Sequence, residues 1–573
     1  MDIFVIIYVS KQNDKTLIYT KVKTENYQPI VRALEALMKR AMNLKIKKED
    51  PYGEIKTFNI SGIRIAYMRE EKYNLPYFNA IPGRTEVYKY APEMLITFFY
   101  KGKEKQVDFP ISLKSPYLST YNGILASGWY HLSRGIDGLM DEFYGSNLED
   151  KKLYLESEVN PIPHMNDEEF ELPSLEQVPK EFASDFQELL KNYFLTAPIV
   201  QVDASISSNR KVWIVVDNNG TRVIQKQDIM KFTIDPYGVS KSKRIYTDTI
   251  SRMSTSFDAL RAEFSYVKQE LQKFLYSLDR KQLESGIYPL IFDHSAVATL
   301  FHEAIAGHML SGRYIVDEIS TIFKGKIGKS VSTDDSMSIL KKIKIWDCPQ
   351  DSSMVAHYKY DMEGVPAVDT LLIDKGVVKN YLHDRNSAAC MKKKSNGHAL
   401  AESLQQNVMV NFFLTSEPLL PEPRVSNLKV LSDSPITFKG LEDIFFKKYG
   451  YYIFVKSYAG QVDVSTGTFE LKVESLEKVY PDGHREYFHG GVFSSNLTDF
   501  ISAIKEVSNA YGMTEGYCGA SSGKVPTQEY TPAMSVYGIN WAPTALPDKN
   551  KRFSVSKVKF IPYGWKATEK YEI

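Results

Sequence analysis

Cysteine is scarce in this chain. It has three in 573 residues, Cys348, Cys390 and Cys518, and no two are spaced as C-x-x-C. That excludes a disulfide framework and fits a reducing compartment, so a cytoplasmic location is expected. Long apolar runs are missing too. None approaches the roughly 18 residues that a bilayer-spanning helix needs, so no membrane partner is expected. The short apolar run Ile3 to Val9 follows an acid, Asp2, has no basic residue ahead of it and no small-residue cleavage site behind it; it reads as a β-strand rather than a secretion leader. An excess of one charge is also absent. Lys plus Arg is 71 against 70 for Asp plus Glu, a net +1, whereas a chain that coats nucleic acid carries a basic surplus. No nucleic-acid partner is expected, and Lys392-Lys393-Lys394, the sharpest basic run, reads as a solvated face. A phosphate cradle is missing as well: Gly460 to Gly467 has neither a P-loop Lys-Ser/Thr nor a GxGxxG.

What the chain does have is core-forming material. Hydrophobic residues reach 43% and aromatic ones 13%, which excludes disorder throughout. The length allows three or four ordinary domains or two large ones. Pro29 opens a predicted helix with Ile30, Leu34, Leu37, Met38 and Ala41 on one face. Strands are expected at Ile63 to Met68 and Met94 to Tyr100. From Glu158 to Phe182, prolines alternate with acids, which reads as a surface linker or strap. Lys211 to Val216, the turn Asp217-Asn218-Asn219-Gly220 and Thr221 to Gln225 form a hairpin signal inside a β-meander over 197 to 250. Leu260, Phe264, Val267, Leu271, Phe274, Leu275 and Leu278 predict one amphipathic helix of about five turns. The pattern changes at Ser285-Gly286. The expected fold class is therefore α+β: an N-terminal mixed α/β domain over 1–284 and a β-rich C-terminal domain over 285–573. Within the latter, strands are expected at Gly376 to Val378, Tyr451 to Val455 and Thr468 to Val473, and a helix at Leu497 to Val507.

Chemistry concentrates after the strand Ile287 to Phe292. There a buried helix, capped by Ser295, carries His302-Glu303-Ala304-Ile305-Ala306-Gly307-His308. A buried His-Glu pair is costly unless partnered. A metal ion on neutral imidazole satisfies it, and so does a hydrogen-bonded pair within the core. The zincin spacing H-E-x-x-H places both histidines on one helical face. Here His308 sits at i+6, roughly 120° round a regular helix from His302. A π-type turn or a break at Ala306-Gly307 would bring it back. Cys518, between Gly516 and Gly519, is either a small core residue or a ligand. His294 is a loop histidine or an outer partner of the motif. Cys348 and Cys390 are expected in the core, His484 and His489 at the surface, and Asp463 along a cleft.

The His302–His308 segment resembles the metal motif of the TldD/PmbA family, named as modulators of DNA gyrase and understood as metallopeptidases. Asp361-Met362-Glu363-Gly364-Val365-Pro366 with Leu372 to Val378, then Tyr381 to Arg385, resembles a second block of that family. Gly460-Gln461-Val462-Asp463 with Ser465-Thr466-Gly467 and Phe469 resembles a third. Gly516-Tyr517-Cys518-Gly519 with Gly523 to Pro526 resembles its cysteine segment. The four lie in order over about residues 285 to 545. The family motif is H-E-x-x-x-H, and this chain has one more residue between its histidines. The resemblance implies zinc (Zn2+) held by His302, His308 and Cys518, with Glu303 as general base, in a peptidase of unfolded or leader peptides. It also implies a homodimer or a heterodimer with a paralogue. Because the family includes members without the motif that pair with active ones, the resemblance leaves open a catalytically silent, peptide-binding partner subunit.

Overall fold

The computed structural model describes residues 4–544 apart from 12–13, 22–23, 50–52, 54, 102–105, 146–170, 332–334 and 411–412. The first strand runs Phe4–Lys11 and pairs with Asp14–Lys21. The helix opened by Pro29 spans Gln28–Met42 and buries Ile30, Leu34, Leu37, Met38 and Ala41, the face read from its spacing.

A ten-stranded antiparallel sheet organises the N-terminal half, with Arg222–Val239, Ile199–Asp217, Ile55–Phe78, Glu93–Lys101 and Gln106–Lys114 as successive neighbours. The predicted hairpin is the tip of its two long central strands. Asp217 Oδ1 accepts from the backbone N–H of Asn219 and Thr221, and Gly220 takes the positive φ that the turn requires. Alternation along Ile199–Asp217 sorts its side chains between two partners. Val202, Ala204 and Ile206 lie under the helices Lys180–Phe194 and Phe264–Tyr276, and Val212, Ile214 and Val216 lie under Gln28–Met42. On the opposite face, Trp213 and Val215 pack against Tyr358, Met362, Leu400, Cys518 and Val525 of the other half. The sheet therefore walls the region around Cys518. Trp213 is the largest side chain in that wall and donates its Nε1–H to the Asp361 carbonyl at 3.1 Å.

A twelve-stranded mixed sheet organises the rest. Leu290–Phe292 is its pivot, parallel to Tyr452–Asp463 on one side and antiparallel to Gly523–Val536 on the other. The helix after it is buried among Leu290, Phe292, Val455, Phe469, Leu471, Phe500 and Met534. The fold is mixed α and β and strand-rich, as the pattern implied.

Four expectations need correction. The stripe from Leu260 to Leu278 is not one helix. It breaks at Glu263 into Phe257–Ala262 and Phe264–Tyr276, and the break turns Phe264 into a ring cluster with Phe182, Phe186 and Phe232. The helix expected to Val507 stops at Ala503; Ile504, β-branched, begins a strand paired to Val536. The acidic strap lies partly outside the described residues, and its end is no free linker: Glu171–Pro173 pairs with Thr24–Asn26, and Leu172, Leu175 and Phe182 are buried. His489 is no surface residue. It is buried, with Nε2 3.0 Å from the Tyr246 hydroxyl, while His484 is exposed as expected.

Burial, with the charges of Arg280 and Arg244, pulls the His489 pKa down to about 4. An unfolded histidine titrates near 6.5, so between these values the native state binds fewer protons than the unfolded one. The stabilisation is full above about pH 6.5 and is lost as pH falls toward 4. His489→Gln should accordingly flatten the dependence of Tm on pH across that window, measured by thermal unfolding at half-unit steps; an unchanged slope would rule out this histidine.

Candidate metal centre

The segment entering the site is set by its cap. Asp293 is the N-cap, not Ser295: its Oδ1 accepts from the Ala296 N–H at 3.0 Å and from the Ser295 hydroxyl at 2.6 Å. Ser295 in turn accepts from Ser457 N–H at 3.1 Å, which ties the helix start to the neighbouring strand. The α-helix covers His294–Phe301 and passes into a π turn at His302–Ala306. There Gly307 N–H donates to the His302 carbonyl at 2.7 Å, five residues back, and Leu310 N–H donates to Ile305 at 3.0 Å in the same pattern. A π turn widens the helix by a residue, which is how His308 rejoins the side of His302 and Glu303.

Gly307 is needed here for space and not for conformational freedom. Its φ is −70°, which any residue adopts, but a Cβ would stand 2.8 Å from the His302 carbonyl oxygen and 3.1 Å from its Nε2. Gly307→Ala should therefore destabilise the chain by about 1–3 kcal/mol through overpacking and push the His302 ring. Thermal unfolding checks the first; metal affinity checks the second. Wild-type values for both would remove the close approach from the account.

His302 is buried, with Nδ1 2.8 Å from Glu529 Oε1. That carboxylate fixes the ring and leaves Nε2, which is buried and has no hydrogen-bond partner among the described residues. His308 Nε2 lies 3.1 Å from Glu303 Oε2 and 4.0 Å from Cys518 Sγ. The two imidazole centroids are 6.5 Å apart. Cys518 is buried on Ile504–Ala520, and Arg424 clamps its turn by donating to the Cys518 carbonyl, to Ser522 Oγ and to the Gly523 carbonyl.

The charges reinforce one another. Burial would push the Cys518 thiol up, but the His302 and His308 rings outweigh it and hold the thiol well below its usual range, toward the thiolate that binds metals. Burial would push both rings down. Cys518 and Glu529 hold His302 well above the usual range, and Cys518 with Glu303 holds His308 at about 9. Burial would raise Glu303; His308 and His302 keep it low and ionised.

Among the described residues no three His, Cys, Asp or Glu side chains stand in a ready-made metal-binding arrangement. The donor set nevertheless fits zinc. Two tetrahedral ligands, nitrogen and sulfur, stand about 3.6 Å apart at usual zinc bond lengths, against the observed 4.0 Å. An orphaned buried imidazole nitrogen, a carboxylate on its far side and a thiol held toward thiolate are what a ligand set requires.

His302, Glu303 and His308 line a cleft of about 500 Å³, with Tyr458 to Val462 and Thr514 to Tyr517 along its sides. Among the described residues, Tyr458 to Val462 belong to a strand that pairs there only with Thr468–Val479, and Thr514 to Tyr517 pair only with Gly523–Val536, the second strand being bridged on its other side at Ser508, by Ile436. Each therefore presents a strand edge.

Other candidates fall elsewhere. Asp463 is not in the cleft; it caps its own turn, accepting from Ser465 and Thr466. His294 packs against Gly512 and joins none of the four motif side chains by a described hydrogen bond. Cys348 is in the core as expected, whereas Cys390 is exposed at a helix end. The Asp361 block is structural: Asp361 accepts from the N–H of Glu363, Val365 and Ala399, and Glu363 reaches Arg64 of the first sheet at 3.4 Å. Sequence reasoning missed Glu529 and Arg424. Neither belongs to a motif, since each is defined by what a neighbouring strand brings beside it.

Residues 285–542 match the model of the PmbA/TldA metallopeptidase C-terminal domain. A metalloprotease of Methanocaldococcus jannaschii is 23% identical over 371 residues, covering 60% of this chain and 76% of that protein. A zinc metalloprotease TldD homolog of Saccharolobus solfataricus is 25% identical over 289 residues, covering 50% of this chain and 58% of that protein. Among solved structures, TldE from Thermococcus kodakarensis superposes with a TM-score of 0.61 at 14% identity, over 89% of this chain and 100% of that one.

Proposed function

Because the chain belongs to the TldD/PmbA family, we propose that it is a zinc-dependent peptidase that hydrolyses unfolded or leader peptides. One observation carries this reading: His302, Glu303 and His308 line a cleft bordered by strand edges, and Cys518, from a distant segment, stands 4.0 Å from His308.

His302 Nε2, His308 and Cys518 would hold the ion, and Glu529 orients the first of them. Zinc, when bound, supplies Lewis-acid polarisation of the scissile carbonyl. The remaining work falls to the chain. The strand edges hold an extended peptide by its backbone, so that sequence matters less than unfoldedness. Glu303, ionised and within the cleft, takes a proton from the attacking water and returns it to the leaving amine. Without the ion His308 Nε2 pairs with Glu303 at 3.1 Å; the same nitrogen would serve the ion instead, which frees the carboxylate for the water.

The test is hydrolysis of a casein-like unfolded substrate by protein purified without a metal-binding tag. Cleavage that stops on chelation and returns with zinc supports the proposal; binding of the substrate without cleavage at any zinc level would refute it.

A further inference from the structure

The face of Ile199–Asp217 that carries Trp213 continues toward the strand's start as Lys211, Asn209 and Ser207. Their cross-strand neighbours extend the same face. Lys211 lies opposite Gln227 and Glu70, Asn209 opposite Ile229 and Lys72, and Ser207 opposite Lys231. The C-terminal half closes over them with Glu402, Tyr517, Lys524 and Pro526 and leaves a pocket of about 350 Å³. Tyr517 also lines the metal cleft, so its ring is a wall common to both spaces.

This pocket has an uncompensated charge. It is lined by four lysines, Lys72, Lys211, Lys231 and Lys524, and two glutamates, Glu70 and Glu402. Both carboxylates already accept from neutral donors: Glu70 from the Asn209 side chain at 3.0 Å, and Glu402 from the Lys524 N–H at 2.8 Å. None of the four ammonium groups stands in a salt bridge among the described residues. Lys211 Nζ donates to the Glu402 carbonyl at 2.7 Å, and Lys231 Nζ sits 5.8 Å from the centre of the Tyr517 ring. Lysines without salt-bridge partners gathered in one recess repel one another. An anion entering there would satisfy them. Burial pulls Lys211 and Lys231 below the usual lysine range, and Glu70, Glu402 and Glu93 at the first and Asp235 at the second offset it only in part.

We propose that this pocket is an anion subsite of the cleft, in which the lysines bind a carboxylate of the extended peptide, either its C-terminal group or an acidic side chain. The identity of the ligand rests on the peptidase reading; the charge of the pocket does not. The shared Tyr517 wall makes the subsite reachable by a chain that lies along the strand edge bearing that residue. Peptides would then be selected by one charged anchor and otherwise held by backbone.

The test uses three fluorescent peptides of one neutral sequence: one with a free C-terminus, one amidated, and one amidated with an internal glutamate. Binding is read by anisotropy on the full chain, wild type and Lys231→Gln/Lys524→Gln, with Lys392→Gln as a surface control, and hydrolysis is followed in parallel. The carboxylate-bearing peptides should bind wild type about ten-fold or more tighter than the neutral one. That advantage should shrink with salt and vanish in the double variant, but not in the control. Preference for the free C-terminus would assign the chain end, and preference for the glutamate the side chain. Equal binding of all three, or an advantage that survives the double variant, would overturn the subsite even if all three are cleaved. Selective binding of carboxylates with no cleavage at any zinc level would instead sink the peptidase reading and leave the subsite standing.

Discussion

Glu303→Gln is expected to lower hydrolysis of an unfolded substrate by about 10²–10⁴-fold, the range that a positioned general base contributes, while zinc content stays at the wild-type level. The amide keeps the shape of the side chain and can still meet His308, now 3.1 Å from the carboxylate. It cannot take the proton. The split between rate and metal content matters because Glu303 adjoins the ligand set, so a variant that lost metal would lose activity for a duller reason. Wild-type turnover by Glu303→Gln would show that another group accepts the proton, and the cleft would need a different base.

The second large effect concerns the ligands themselves. Cys518→Ser should weaken zinc binding by more than about 100-fold, because it removes the group held toward thiolate by two imidazoles. Glu529→Gln should cost less, about 10–100-fold, as expected when the group orienting a ligand histidine is altered. The order is diagnostic. Competition with a chromogenic chelator gives both affinities. If Glu529→Gln were the more damaging, Cys518 would be a core thiol and the site would be built around the His302–Glu529 pair.

The sequence made some of this legible, and the reason is local. The π turn could be anticipated because a regular helix sends His302 and His308 to different faces, and the turn is present with Gly307 N–H bonded five residues back. The reason for glycine could not, since it lies in the space beside the His302 ring, which local sequence does not describe. Cys518 could be singled out by its flanking glycines and by family resemblance. Glu529 could not, although it lies eleven residues on, because its role comes from the pairing of Gly523–Val536 beside the His-Glu helix. Likewise the stripe from Leu260 to Leu278 is truly apolar, yet its break at Glu263 is dictated by where Phe182, Phe186 and Phe232 lie. The lysine pocket was invisible for the same reason: Lys72, Lys211, Lys231 and Lys524 come from four strands and meet through strand register and the packing of one half of the chain on the other. Periodicity reports which face is buried. It does not report what buries it.

X-ray absorption at the zinc edge, on protein purified without a metal-binding tag and loaded with one equivalent of zinc, reads the ligand set itself. The expected shell has one sulfur at about 2.3 Å and two imidazole nitrogens at about 2.0–2.1 Å, the sulfur lost in Cys518→Ser. A shell of nitrogen and oxygen alone in the reduced wild-type chain would contradict it.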